Sequence, residues 1–262
     1  MSPAPKRKVM TNAWLLSLLL IIAACPARAQ HALFLSQGKI EFERKVNQYA
    51  QMESVMDPGD EAWTEFRKKL SGNQFKTDYF DLLFTRSKTL YRPGREGSYS
   101  PTQFFFQPPA QDNIVYSDLE DQKSIAQKKA FGEVFLVQDT LRRIKWKITD
   151  ETRTIAGFAC RRANAVIMDS IYVVAFYTDE ILTSGGPESF TGLPGMILGI
   201  AMPHEHVSWF ATKVEAISIP DAQVAGPAKG KKINNAGLLQ TIKGSLKDWG
   251  KEGQQFMRAL ML

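Results

Sequence analysis

The chain has 262 residues and is 44% hydrophobic, which suits one sizeable globular domain. Its formal net charge of +6 falls to about +2 without residues 1–29, which hold four basic residues and no acidic one. This small charge argues against a nucleic-acid-binding protein, because such proteins need a clustered basic footprint.

Residues 1–29 have the pattern of a signal peptide. A basic segment at Lys6–Lys8 precedes an uncharged apolar run at Trp14–Ala24, and Ala27–Ala29 follows as an A-x-A cleavage site. The apolar run is too short for a comfortable transmembrane helix. The sequence therefore predicts export to the periplasm or cell envelope, with Gln30 as the mature N-terminus and residues 30–219 as the main domain.

The two cysteines, Cys25 and Cys160, bear on processing and on chemistry. Residues 22–25 also resemble a lipobox, so the alternative to a soluble product is a lipoprotein anchored at Cys25. If Cys25 is cleaved away or lipidated, Cys160 has no partner for an intrachain disulfide. Its alternation with Phe158 predicts a buried thiol that packs as a small apolar group rather than a nucleophile.

Strand-like alternation of apolar and polar residues dominates the chain after the signal. Phe158–Ile167 and Ile171–Thr178 read as a hairpin around residues 168–170. Further strands are predicted at Ile40–Val46, Ile144–Ile148, Met196–Met202 and Val207–Ile217. These patterns predict a single, mainly antiparallel β domain, built as a strongly curved sheet or as a two-sheet sandwich.

Helix signals are few. Asp57 followed by Pro58 resembles an N-cap with proline at the first helical position, so a helix is predicted after Pro58. A short helix is also predicted near residues 119–129. Residues 220–234 contain Pro, Gly and Lys and read as a linker. Beyond the linker we predict one amphipathic helix over residues 235–262, whose apolar stripe is Leu239, Ile242, Leu246, Trp249, Phe256 and Leu260.

That apolar stripe must be covered, because it would otherwise leave a large apolar patch in water. The first interpretation is that the helix packs against the protein's own sheet. The second is that it docks to a partner or lies on a membrane surface, where lysines such as Lys243 and Lys247 would meet anionic headgroups.

The most distinctive motif is Gly192-Leu193-Pro194-Gly195, which precedes an apolar run. Pro194 suits the second position of a type II turn, and Gly195 can adopt the positive φ of the third position. The motif is not a phosphate-binding loop, because no Lys-Ser/Thr pair and no helix follow the glycines. We therefore interpret it as a structural turn between strands.

This segment resembles the GLPGLI family of Gram-negative envelope proteins. The resemblance extends upstream through Gly157–Ala163 and Ala175–Ile181, and covers roughly residues 155–215. Met196 and Gly199 depart from the family pattern. The resemblance implies an exported, mainly β protein, in some cases associated with outer-membrane uptake systems. It implies no established biochemical activity.

A candidate metal site lies at Met202, His204 and His206, where two of the three histidines of the chain occur. In an extended strand, His204 and His206 would point to the same side. Two imidazoles and a thioether suit a weakly bound copper or zinc ion. The alternative is an exposed loop tip between two strands, since Pro203 interrupts the pattern.

Other candidates have simpler structural explanations. Glu188 could reach Arg161 or Arg162, but a solvated charge is the simpler interpretation. The aromatic run Phe104–Phe106 indicates a strand buried on both faces, with a ligand groove or partner surface as the alternative. Ser184 lacks the G-x-S-x-G context of a hydrolase nucleophile.

These features favour a non-enzymatic binding or accessory protein of the envelope, with an outer-membrane receptor or another envelope protein as its partner. Metal binding would be one specific form of that function. The alternatives are a periplasmic hydrolase-like enzyme whose site is not visible in the sequence, and a carrier of lipid or another hydrophobic ligand. A nucleophile, a base and oxyanion donors in one cleft would identify the enzyme, whereas a wide apolar groove would identify the carrier.

Overall fold

The computed structural model describes residues 2–3, 34–56, 59, 61–70, 74–97 and 110–262. The predicted signal peptide, Cys25, the Asp57-Pro58 cap and the Phe104–Phe106 run lie outside these residues. Within them, no helix combines the length and the apolar character needed to cross a bilayer. Residues 34–262 form one compact unit.

The described residues place twelve strands in one sheet. The strands are β1 (Gly38–Asn47), β2 (Phe75–Phe84), β3 (Lys88–Pro93), β4 (Ile114–Asp118), β5 (Lys123–Ala130), β6 (Glu133–Thr140), β7 (Lys147–Ile155), β8 (Phe158–Ile167), β9 (Ile171–Thr178), β10 (Met196–Met202), β11 (Val207–Glu215) and β12 (Lys231–Ile233). Their order is β12-β6-β5-β4-β3-β2-β1-β11-β10-β9-β8-β7. Neighbours pair antiparallel, except that β12 pairs parallel with β6.

The sheet is strongly curved, and side chains from distant strands therefore meet. In a flat sheet, the four steps from β7 to β11 would separate these strands by about 19 Å. Instead, the guanidinium carbon of Arg153 on β7 lies 4.8 Å from the ring centroid of Phe210 on β11. On the inner face, Nε1 of Trp209 donates a hydrogen bond of 3.0 Å to the hydroxyl of Tyr91, three strands away. The prediction of a curved antiparallel sheet is confirmed, in one sheet rather than two.

The predicted strands and the hairpin of β8 and β9 agree closely with the structure, whereas the Ile144–Ile148 strand begins only at Lys147. The helix predicted near residues 119–129 is wrong, because this segment is the β4–β5 turn followed by β5. Asp118 stabilises that turn, since its carboxylate accepts hydrogen bonds from the backbone N–H groups of Glu120 and Asp121.

Four α-helices accompany the sheet in the described residues: α1 (Gln48–Glu53), α2 (Glu61–Leu70), α3 (Asn235–Ser245) and α4 (Gly250–Leu260). Helix α2 confirms the predicted helix after Pro58. The prediction of one continuous helix over residues 235–262 is wrong, because the chain turns between α3 and α4. Trp249 N–H bonds to the Leu246 carbonyl there, and Gly250 has φ +54°. The segment predicted to be a linker contains β12.

Helices α3 and α4 bury their apolar side chains in the main core. Leu238, Ile242 and Leu260 are fully buried, whereas Trp249 of the predicted stripe remains 46% exposed. The inward-facing side chains of the sheet, such as Ile40 and Phe42 on β1, form the rest of this core. Packing against the protein's own sheet is therefore the observed arrangement of the stripe.

Candidate functional site

The motif loop, residues 179–195, connects β9 to β10. Gly195 allows the chain to turn into β10 at the end of this loop. Gly195 has φ +138°, and a Cβ atom built there would lie 2.0 Å from the Thr178 carbonyl oxygen. The hydrogen bond across Pro194 joins Gly195 N–H to the Leu193 carbonyl at 2.8 Å. Because this bond spans three residues, the turn is a γ-turn, and the predicted type II turn is wrong. Gly192 adds a second positive φ, of +90°.

The same loop carries Glu188 into the protein interior. Glu188 has φ +50° and is only 2% exposed. One carboxylate oxygen accepts a hydrogen bond of 2.9 Å from the Asn113 side chain. The other oxygen has no hydrogen-bond partner among the described residues. The prediction that Glu188 is a solvated charge is therefore wrong.

Glu188 belongs to a group of buried polar side chains that we call the inner charge cluster, formed with Arg44, Tyr91, Asn113 and Lys128. Burial raises the pKa of Glu188, and the positive charge of Lys128 is the largest effect that opposes this rise. Burial also lowers the pKa of Lys128 to about 8 and raises that of Tyr91 well above 10. The cluster thus holds opposite charges in a desolvated environment.

Arg44 shows how the sheet positions this cluster. It occupies the inward-facing register of β1, between Phe42 and Val46, and is 2% exposed. Its Nη1 donates 2.8 Å to the Ala110 carbonyl, and its Nη2 lies 3.2 Å from the Asp78 carboxylate. Arg44 was not among the predicted site residues, although the alternation of β1 already placed it on the buried side. Lys128 was not a predicted site residue either, because residues 119–129 were predicted to be helical.

We expect the effect of Lys128 on stability to depend on pH. Between about pH 8 and 10.5, the folded protein binds fewer protons at this side chain than the unfolded chain does. The unfolding free energy of the wild type, relative to that of Lys128→Met, should therefore rise by up to about 3 kcal/mol across this window. Urea unfolding at pH 7, 9 and 10.5 measures the difference. Lys129→Met, on the exposed face of the same strand, is the matched control, and a flat Lys128 difference would contradict the expectation.

A groove of about 720 Å³ opens beside the motif loop, and we call it the motif groove. Its walls are the β2–β3 turn, the β4–β5 turn, the connection after β6 and the motif loop itself. Among the described residues, three arginines, Arg86, Arg142 and Arg143, line it together with one acidic residue, Glu120. Leu182, which is 52% exposed, adds apolar surface.

Direct hydrogen bonds join the connection after β6, which lines the motif groove, to the motif loop. Nε1 of Trp146 donates 2.9 Å to the Thr191 carbonyl, and Nε of Arg142 donates 3.2 Å to Oγ of Ser189. These bonds fix the connection after β6 against the motif loop. The motif therefore shapes one wall of the groove through Thr191 and Gly192.

The residues of the predicted metal site do not share one surface. Met202 is 1% exposed and lies in the core, whereas His204 is exposed. Residues 203–205 form a 3-10 helix, and His206 has φ +53°, so the two histidines do not alternate along a strand. The described residues contain no group of three or more His, Cys, Asp or Glu side chains suited to a metal ion. Weak copper or zinc binding at His204 and His206 stays a prediction.

Cys160 is fully buried, and burial raises the pKa of its thiol to about 12. The thiol is therefore protonated near neutral pH and is a poor nucleophile. This placement agrees with the predicted packing role.

Comparison with known proteins finds a family match over a short part of the chain. A family model described as a protein of unknown function (Porph_ging) matches residues 165–199, which include the whole motif loop. The match is partial, so membership of the GLPGLI family stays a prediction. No curated protein matches the chain.

Solved structures provide only distant likenesses. Two crystal forms of PNGF-II share 13% and 14% identity with this chain at a TM-score of 0.49, over 76% and 81% of its length. The alignments cover 31% and 33% of PNGF-II, so the chain spans about a third of that protein. An uncharacterized conserved protein from Thermus thermophilus shares 5% identity at a TM-score of 0.38, over 83% of this chain and 99% of its own. Similarity of this degree assigns no activity.

Proposed function

We propose that this protein is an exported, non-enzymatic binding protein of the cell envelope that takes an acidic segment of a partner protein into the motif groove. The observation that carries the proposal is the set of three arginines around a groove formed partly by the motif loop. A volume of about 720 Å³ lies within the usual range for ligand sites.

The chemistry of the groove favours a carboxylate-bearing ligand. Guanidinium groups bind carboxylates through paired hydrogen bonds, and Arg86 and Arg143 are exposed and available for such pairs. Leu182 supplies an apolar contact in the same groove. An acidic segment with an adjacent apolar side chain would match both features, and an outer-membrane receptor or another envelope protein could provide it.

The lining of the groove supports binding rather than catalysis. Its hydroxyl groups come from Ser87, Ser184 and Thr191, and its one described carboxylate, Glu120, is exposed and makes no described side-chain hydrogen bond to any of them. Within the described part of the chain, no His, Cys, Asp or Lys lines the groove. A hydrolase would need a general base beside such a hydroxyl group. Export itself is proposed from the signal-peptide pattern, either as a soluble periplasmic protein or as a lipoprotein anchored at Cys25.

An aromatic patch provides a second candidate contact, with a membrane surface. Phe131 and Trp249 are 43% and 46% exposed, and both pack against Phe256 of α4. Tryptophan, represented here by Trp249, is enriched at membrane–water interfaces. The patch is distinct from the motif groove, so the two contacts can be tested separately.

A photocrosslinking residue at position 182 should trap the partner in intact cell envelopes. Leu182 lies in the groove and is 52% exposed, so a crosslinker there would contact the bound segment. Val166, on β8, is 58% exposed and supplies the matched control. We expect one discrete protein adduct from position 182, identified by mass spectrometry, and no such adduct from position 166.

Charge reversal in the groove then tests the role of the arginines. Arg86→Glu/Arg143→Glu should abolish the adduct from position 182, because the substitutions repel an acidic segment. The same reversal at the exposed Arg92 and Arg161 is the control for net charge. Equal adducts from positions 182 and 166, or an adduct that survives the groove reversal, would contradict the proposal.

A further inference from the structure

Asn113 and Lys128 lie opposite each other at the end of the ladder between β4 and β5. These strands pair antiparallel, and the last pair in the ladder is Ile114 with Gln127. Asn113 precedes Ile114 and Lys128 follows Gln127, so the same register makes them the next cross-strand pair. Directly opposed residues have Cβ atoms about 4.5–5.5 Å apart, and their side chains point to the same face.

The pair after that one shows that the register continues. Asp112 and Lys129 are both more than half exposed, and their side chains form an ion pair of 2.8 Å. Because successive residues of a strand point to opposite faces, Asn113 and Lys128 point inward. They are 1% and 4% exposed. A buried primary amide and a buried amine therefore occupy adjacent positions on the inner face.

The motif loop brings a carboxyl group to this pair. Nδ2 of Asn113 donates 2.9 Å to Oε2 of Glu188, and Oε1 of Glu188 has no hydrogen-bond partner among the described residues. Glu188 is the charged group with the largest effect on the pKa of Lys128, and Lys128 has the largest such effect on Glu188. An amine, an amide and a carboxyl group therefore meet in one desolvated place, which we call the buried triad.

Burial favours the uncharged forms of both ionisable members of the triad. It lowers the pKa of Lys128 to about 8, so part of the amine is unprotonated and nucleophilic near neutral pH. It also raises the pKa of Glu188, which favours the carboxylic acid. Transfer of one proton from Lys128 to Glu188 produces both uncharged forms at once. A free amine beside an amide that a carboxylic acid polarises has the groups needed for acyl transfer.

We propose that Lys128 and Asn113 join in an intramolecular isopeptide bond, with Glu188 as the catalytic acid and base. Nζ of Lys128 leaves the Leu260 carbonyl, to which it donates at 2.8 Å, and attacks Cγ of Asn113. One amine proton passes through the Glu188 carboxyl group to Nδ2, and the Cγ–Nδ2 bond breaks. The products are a secondary amide between the two side chains, one molecule of ammonia and an unchanged Glu188.

The bond closes the β4–β5 hairpin into a covalent ring at the end opposite its turn. That turn lines the motif groove through Leu119 and Glu120, but the reaction does not depend on what the groove binds. In the bonded protein, the nitrogen of Lys128 is an amide and no longer titrates. The stability changes expected for substitutions at Lys128 and Glu188 therefore apply to the unbonded chain.

Tandem mass spectrometry of the purified wild-type chain, incubated at pH 8, tests the bond. After trypsin digestion we expect a branched peptide that joins residues 96–123 to residues 124–129, because trypsin does not cleave after an acylated Lys128. The peptide should be about 17 Da lighter than the sum of its two parts, since ammonia has left. Intact mass alone is not decisive, because cyclisation of an N-terminal Gln30 also releases ammonia. Residues 96–123 and 124–128 recovered only as separate peptides of full mass, from folded protein, would overturn the inference.

Three variants test the role of each group. Lys128→Arg keeps the positive charge and should remove the branched peptide. Glu188→Gln keeps the size of the side chain but cannot transfer the proton, so the yield of the branched peptide should fall at least about tenfold. Lys129→Arg removes the neighbouring amine, keeps the trypsin site and should leave the yield unchanged. A wild-type yield in Glu188→Gln, or a loss of the branched peptide in Lys129→Arg, would contradict the assigned roles, and the wild-type digest alone decides whether the bond exists.

Discussion

Gly195→Ala is expected to destabilise the protein by more than about 4 kcal/mol, because the substitution combines backbone strain with a backbone collision. The added Cβ atom would lie 2.0 Å from the Thr178 carbonyl oxygen, at a φ of +138°. The last residue of β9 and the first of β10, Thr178 and Met196, would have to separate to relieve this contact. Thermal and urea unfolding measure the loss.

Substitutions at two other glycines, Gly192 and Gly132, distinguish the effect of the steric collision from the effect of the positive φ. Gly192 has φ +90°, but the nearest atom to its added Cβ lies 3.8 Å away, in Trp146. Gly132, in the β5–β6 turn, has φ +79° and no atom within 4 Å. Alanine at either position should cost only about 1–2 kcal/mol, from the positive φ alone. Equal losses at Gly192 and Gly195 would contradict the close approach in the motif.

Glu188→Ala is expected to destabilise the protein by about 1–3 kcal/mol, because it leaves the buried Asn113 side chain without its hydrogen-bond acceptor. It also removes the negative charge that favours the protonated form of Lys128. Lys128→Met should cost less, because it leaves the hydrogen bond from Asn113 to Glu188 in place and the raised pKa of Glu188 allows that carboxyl group to take up a proton. Urea unfolding of the single variants at pH 7 gives this comparison.

The double variant Glu188→Ala/Lys128→Met completes the comparison. Removing both charges leaves no uncompensated ion in the interior, so the pair should be less destabilising than Glu188→Ala alone. If the losses of the single substitutions simply added, the two side chains would not interact, and the description of an inner charge cluster would be wrong.

Much of the sheet could be predicted from local alternation. The hairpin of β8 and β9 and the strands β10 and β11 lie close to their predicted positions, since residues buried on one or both sides of a sheet leave a direct pattern in the sequence. The predicted helical pattern of residues 235–262 is also present, but it forms two helices, because the chain turns between α3 and α4. In this turn Leu246 is buried, whereas Trp249 is 46% exposed. The two side chains therefore do not belong to one continuous apolar stripe.

By itself, the sequence determined that this is a mainly β protein, that Gly192 and Gly195 form a turn between strands, and that Cys160 packs inside. Each of these three conclusions depends on residues that are close to one another in the sequence. Only the tertiary structure decided that Glu188 lies against Asn113 in the interior. Alternation along a strand assigns a side chain to one face, but it cannot say which loop a curved sheet will enclose. The partners of a buried charge come from distant strands, and only the curvature brings them together.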